Sequence, residues 1–158
     1  MYVLVFLIKL GCKIDAMDHL ISLPKEDYLY VQTSQISNAG FGLYTAIDIF
    51  KDEIIAEFKG EILTQKQAKL RVLNGADLYF MNLPNGSIFD TSLVNGFAKY
   101  ANDAEGLALT SFRNNAKIQL EGLNKICLVA KRKIKAGEEI FCAYGKLYWN
   151  KHRSQINP

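Results

Sequence analysis

The sequence predicts a mainly β, α+β domain made of several small sheets with short helices between them. Short runs rich in Val, Ile, Tyr and Phe, such as "YLYVQTS", "IIAEF" and "KICLVA", are bounded by turn residues throughout. One segment, "TQKQAKLRVLNG", carries the capping signature and composition of a helix. Strands do not alternate with long helices, as a doubly wound fold requires, and no internal repeat or low-complexity linker divides the chain.

In chain order, "YLYVQTS" from Tyr28 reads as a strand, "NAGFG" from Asn38 as a turn and "LYTAIDI" as a second strand. "KDE" breaks the pattern and "IIAEFKGEIL" resumes it. Thr64 and Gln67 stand in the spacing of a capping box, and Asn74 with Gly75 closes a helix of about two or three turns. "DLYFMNL", the turn "PNGS" and "IFD" form a hairpin, and "TSLVNGFAKYAN" holds a short helix weakened by Gly96. After a polar loop, "NAKIQLEG", "NKICLVAKRKI", the turn "KAGE" and "EIFCAY" complete the strands. The Gly40-Phe41-Gly42 stretch runs into a strand, not a helix, so it is not a dinucleotide-binding fingerprint.

The 158 residues are enough for one compact domain and its core, so a single site is sought. The net charge is +3 and the longest basic run is "KRK" at Lys131 to Lys133, which lacks the electrostatic footprint of a nucleic-acid binder. Cys12, Cys127 and Cys142 are odd in number and have no CxxC spacing, and His19 and His152 lie at opposite ends. Neither a disulfide framework nor a metal site is expected, and the compartment is expected to be reducing and intracellular, with cytoplasm and nucleus not distinguished. The N-terminal "MYVLVFLIKLG" is apolar but well short of the ~20 residues of a membrane span. It lacks the basic start and the cleavage site of a signal peptide. No membrane association is expected, and residues 1–27 read as an appendage to the domain.

Four separated segments carry more information than any of them alone. "NAGFGLYTAIDIFKDEIIAEFKGE", "DLYFMNL", "NGFAKYANDA" followed by "NNAKI", and "AKRKIKAGEEIFCAYGKLYW" occur in this order. Together they resemble the SET domain of protein lysine methyltransferases, from about Tyr28 to Trp149. The resemblance implies a SET fold over residues 28–149, with a pseudoknot-like C-terminal threading and a tail at 150–158. The chain ending in Y-G-x-x-Y-W is similar to minimal stand-alone viral and bacterial SET proteins.

The resemblance also implies site residues. Gly40 and Gly42 match the family's glycine pair, whose loop touches S-adenosylmethionine, and Phe41 follows as a cofactor wall. Glycine there allows close approach of the main chain to a ligand. In "AKYANDA", Lys99 takes the place of the family's arginine and Tyr100 that of its phenylalanine. Asn102 is retained, while Asp103 replaces histidine and Ala104 replaces serine. Asn102 is expected either to hold the amino-acid end of the cofactor or to tie two strands together, and Asp103 to contribute through its backbone. Asn115 matches a second asparagine that braces strands.

Tyr144 stands in the place of the active-site tyrosine, and Tyr79 in that of the tyrosine lining the lysine channel. Tyr30, Tyr44 and Tyr100 are expected in the core or on the surface. Phe58 replaces a tyrosine, and Cys142 replaces Phe or Tyr, which leaves room for methylation beyond the first step. Cysteine-rich flanking modules are absent from this sequence, so Tyr148 and Trp149 are expected to cover the adenine or the channel mouth.

The implied activity is S-adenosylmethionine-dependent transfer of a methyl group to a lysine ε-amine of a protein substrate, a histone or another. Deprotonating that lysine at pH 7 costs roughly 4–5 kcal/mol. An apolar channel lowers the cost by disfavouring the ammonium. A homodimer that completes the site is compatible with the family. Because Lys99, Asp103 and Ala104 depart from its most informative stretch, the alternative is a catalytically inactive SET-like interaction module. Asp77, Asp103, Glu105 and Glu121 are candidates for an acidic groove, each expected to be an ordinary solvated charge.

Overall fold

The computed structural model describes residues 23–106, 110–121 and 125–156, so most of the N-terminal appendage lies outside the described residues. Nine short strands form three antiparallel sheets of three strands each among these residues. β1 (Leu29–Thr33), β2 (Phe41–Thr45) and β9 (Glu139–Ile140) make the first, with β2 in the middle. β3 (Ile54–Glu57), β8 (Lys125–Ala130) and β7 (Ala116–Glu121) make the second, centred on β8. β4 (Glu61–Leu63), β6 (Ile88–Asp90) and β5 (Phe80–Asn82) make the third.

Turn chemistry fixes the registers. β1 and β2 pair from Leu29↔Thr45 to Thr33↔Phe41 around a loop in which Asn38 (φ 64°) and Gly40 (φ 72°) take the left-handed conformation. In the β5–β6 hairpin, Gly86 (φ 81°) makes the turn and the Asn85 side chain accepts from the Ser87 N–H at 3.0 Å. Gly60 is required by packing, because a Cβ there would run into the Asp90 backbone.

The core lies among Leu43, Ile49, Ile55, Leu128, Ile134 and Ile140, all fully buried. Every residue of β8 after Lys125 is buried, which explains its unbroken apolar run "ICLVA". Helix α1 (Gln65–Leu73) has the predicted capping box, with Thr64 and Gln67 each accepting from the other's backbone N–H. Arg71 ties its last turn to Glu61 at 2.7 Å and to the buried Asp90. The short helix expected in "TSLVNGFAKYAN" is a single 3-10 turn, Ala98–Tyr100.

After β9 the chain threads between two earlier segments. Phe141 bridges Asn102 in parallel on one side, and Cys142 bridges Ala116 in parallel on the other. The Cys142 N–H donates to the Asn102 carbonyl and the Ala116 N–H to the Phe141 carbonyl, both at 2.8 Å. Beyond Gly145 (φ 89°) the chain forms helix α2, Lys146–Ile156. This helix crosses the Trp149/Asn150 boundary expected for a tail, because "KLYWNKHRSQI" contains neither Gly nor Pro and sets Tyr148 and His152 on one face.

Candidate functional site

A cavity of about 1370 Å³ opens between the β1–β2 loop, the Asp77–Met81 segment, the Ala98–Asp103 segment and α2. It brings together Gly40, Phe41, Tyr79, Asn102, Asp103, Tyr144 and Trp149, which are distant in sequence. Phe41 is 63% exposed and stands at its edge. A Cβ on Gly40 would meet nothing within 4 Å, so its left-handed φ, not crowding, calls for glycine.

Gly42 is not among the lining residues. A Cβ on it would strike the Glu139 carboxylate, so close approach of a side chain is what requires this glycine. Glu139 is buried and surrounded by donors. Ser34 Oγ donates to it at 2.6 Å, the Gln35 N–H at 2.7 Å, the Tyr44 hydroxyl at 3.0 Å and Asn102 Nδ2 at 3.4 Å. These bonds replace the water that the carboxylate loses on burial. Asn102 Nδ2 also donates to the Phe41 carbonyl at 2.9 Å. This bond ties the glycine loop to the segment beside the threading strand, one of the two tasks expected of Asn102, which also lines the cavity.

Asn115 clamps the same strand with both ends of its amide. Its Nδ2 donates to the Glu139 carbonyl at 2.8 Å, and its Oδ1 accepts from the Phe141 N–H at 2.9 Å. Beneath the loop, Ile36, Ala104 and Phe141 make a second, smaller apolar cluster.

Asp103 is buried, contrary to the solvated charge expected of it, and its side chain is fully engaged. Its Oδ2 accepts from the Tyr144 N–H and from Trp149 Nε1, both at 2.8 Å. Its Oδ1 accepts from Asn114 Nδ2 at 2.8 Å and from the Glu105 N–H at 3.0 Å. The indole lies over Gly106, where a Cβ would collide with the ring, and stacks on Tyr144 at 5.7 Å between centroids. Tyr148 meets the Tyr144 ring edge-on at 4.8 Å, and His152 packs on Tyr148 at 4.7 Å.

Within this aromatic cluster the Tyr144 hydroxyl donates to the Ala101 carbonyl at 3.1 Å. Burial, and then the neighbouring Cys142, Tyr148, Asp103 and Tyr79, hold its pKa well above the ordinary 10. The group is a neutral phenol at physiological pH. Cys142, lining the same cavity, is pushed up to about 12 by burial and by Asp103, so its thiol is no nucleophile. Among the described residues no group of His, Cys, Asp and Glu could hold a metal ion.

The SET domain profile matches residues 40–145. The chain belongs to the SET domain family. Over 132 residues, 79% of this chain, the SET domain is 28% identical to histone-lysine N-methyltransferase ash1 of Drosophila melanogaster, of which it covers 6%. Over 125 residues, 76% of this chain, it is 26% identical to the histone-lysine N-methyltransferase, H3 lysine-36 specific, of Saccharomyces cerevisiae, of which it covers 16%. It superposes on a chain of an active polycomb repressive complex 2 in the basal state with a TM-score of 0.62 and 27% identity, covering 75% of this chain and 15% of that one. A humanized mutant of the Chaetomium thermophilum Polycomb Repressive Complex 2, bound to an inhibitor, gives 0.63 and 27% over 79% and 16%. The SET domain thus spans a small fraction of each relative.

Several residues that complete this SET domain's site are silent in the sequence. Glu139, Asn114 and Gly106 sit at a strand start, in a polar loop and in a turn, and only their contacts mark their roles. The aromatic spacing of Tyr148, Trp149 and His152 was the available signal for α2. Lys99, in the position of the family's arginine, donates to the Val94 carbonyl at 3.0 Å and so holds the preceding loop.

Proposed function

We propose that this SET domain is an S-adenosylmethionine-dependent protein-lysine N-methyltransferase. The observation that carries the reading is the Tyr144 hydroxyl, fixed on the Ala101 carbonyl at 3.1 Å inside the cavity that Phe41, Asn102 and Tyr79 also line. That cavity exceeds the roughly 300–1,000 Å³ of ordinary small-ligand sites, so it has room for a cofactor together with a lysine side chain. The backbone of the Gln35–Gly40 loop, the Phe41 ring and the Trp149 indole would hold the cofactor. Asp103 would contribute by fixing Trp149, and Gly42 by making room for Glu139.

When bound, the cofactor supplies an electrophilic methyl group. The chain supplies alignment. Tyr79, 47% exposed, and Tyr144 wall a channel in which an aliphatic lysine stem is shielded from water. An amine entering it sheds its proton to solvent, since the apolar surroundings disfavour the ammonium and Tyr144, itself protonated, is no base. The Tyr144 hydroxyl and the Ala101 carbonyl then orient the neutral amine for in-line attack. Cys142, shorter than an aromatic residue, leaves volume in the cavity, and mass spectrometry after exhaustive turnover is expected to show di- or trimethyl product. Histone tails are the first substrates to try, because the relatives named above are histone-lysine N-methyltransferases.

The competing reading, an inactive interaction module, draws on the substitutions at Lys99, Asp103 and Ala104. Calorimetric titration with S-adenosylmethionine and its demethylated product separates the two. Saturable binding is expected, and no heat with either compound would leave the interaction module standing.

A further inference from the structure

Asp77 lies two residues before Tyr79 on the cavity wall, and the mechanism above makes no use of it. Its side chain is 2% exposed, and its carboxylate is met by the ammonium of Lys151 from α2. A buried carboxylate is costly without a cation, so the position calls for positive charge whatever its source. The present source reaches in from solvent. The Lys151 side chain is 50% exposed, and its flexible four-carbon stem can carry the ammonium out into water.

The surroundings suit a second basic side chain. Leu78, Tyr79, Tyr148 and His152 line the same cavity. Tyr148 lines the cavity together with Asp77 and Tyr144. Its pKa is raised by burial first and then by Tyr79, Asp77 and Asp103, and its ring touches that of Tyr144 at 4.8 Å. The carboxylate and the tyrosine assigned to the transfer therefore line one cavity.

We infer that Asp77 is a subsite for a guanidinium or ammonium group carried by the substrate beside its target lysine, and that Lys151 fills this subsite in the free chain. The identity of the ligand as a protein substrate rests on the methyltransferase reading; the cation preference of the subsite does not. The α-ammonium of the cofactor has the same chemistry, and the test separates the two sources.

Lys151→Ala in the full chain vacates the subsite. Its Tm is expected to fall, and millimolar methylguanidinium is expected to restore it, with no such effect on the parent or on the Lys151→Ala/Asp77→Asn double variant. Equal stabilisation of the double variant would overturn the subsite. Two dye-labelled lysine peptides, differing only in arginine or neutral citrulline next to the lysine, then identify the ligand by fluorescence anisotropy. Lys151→Ala is expected to bind the arginine peptide about tenfold more tightly than the citrulline peptide. Asp77→Asn is expected to bind both alike and to keep its calorimetric affinity for S-adenosylmethionine. Loss of cofactor affinity in Asp77→Asn with unchanged peptide discrimination would assign the cation to the cofactor and refute the inference. Failure of the methyltransferase reading would show separately, as a parent that binds no cofactor while the methylguanidinium effect persists.

Discussion

The Tyr144 hydroxyl is a donor held on the Ala101 carbonyl and kept protonated by burial, so removing it tests alignment and not proton transfer. Tyr144→Phe is expected to lower kcat about tenfold, the worth of one oriented hydrogen bond, with cofactor affinity within about twofold. Single-turnover methylation and calorimetry on one preparation check both halves, and an unchanged rate would remove the hydroxyl from the mechanism. At Gly42 the consequence is structural. A Cβ must displace the Glu139 carboxylate from Ser34, Gln35 and Tyr44, so Gly42→Ala is expected to cost about 1–3 kcal/mol in denaturant unfolding. Tyr144, Tyr79 and Asn102 were legible in the sequence because each stands in a recognisable local pattern. Glu139 was not, because its role consists of partners about a hundred residues earlier in the chain.

The element that closes the site is α2, and the Asp103 carboxylate fastens its first turn to the threading strand. Asp103 Oδ2 accepts from both Trp149 Nε1 and the Tyr144 N–H. An amide in its place would set a second donor against a ring of donors. Asp103→Asn is expected to weaken cofactor binding about tenfold or more, in line with about 1.5–3 kcal/mol for a hydrogen bond to a charged group. Trp149 is the one tryptophan in the chain, so its emission reports the same event directly and is expected to shift to the red as the indole gains water. An unshifted spectrum with intact binding would show that the Asp103 bond to the indole is not what holds Trp149 in place. Asp103 replaces the family's histidine, yet in this fold the replacement serves a partner, Trp149, that the same chain supplies.

Across the whole molecule, buried acids that resist ionisation set an alkaline limit. Cys142 and Tyr28 are both pushed up to about 12, Cys142 by burial and Asp103, Tyr28 by burial and then Glu53 and Glu26, and Tyr144 lies well above 10. In the unfolded chain these groups lose their protons near 9 and 10, while the native state retains them. The unfolded state then binds fewer protons, so stability falls as pH rises, by about 1.4 kcal/mol per pH unit for each such group. Full stability is expected below about pH 8.5, with progressive loss between about pH 9 and 12 in urea midpoints. A flat profile over that window would contradict the burial of these groups.

The sequence by itself determined the strands, the α1 capping box and the family, and pointed to Tyr79, Asn102 and Tyr144 on the cavity wall, because these depend on local pattern and on motif order. Only the tertiary structure decided that Gly42 serves Glu139, that Asn102 holds the Phe41 carbonyl, and that Asp77 and Asp103 are buried and not solvated. It also joined residues 150–156, expected as part of a tail, to residues 146–149 in one helix that walls the cavity. The physical reason is common to all of these: the partners and exposure of a side chain depend on which distant segments, the threading residues 139–142 and α2 among them, come to lie beside it. That arrangement forms between segments far apart in the chain, where no local pattern records it.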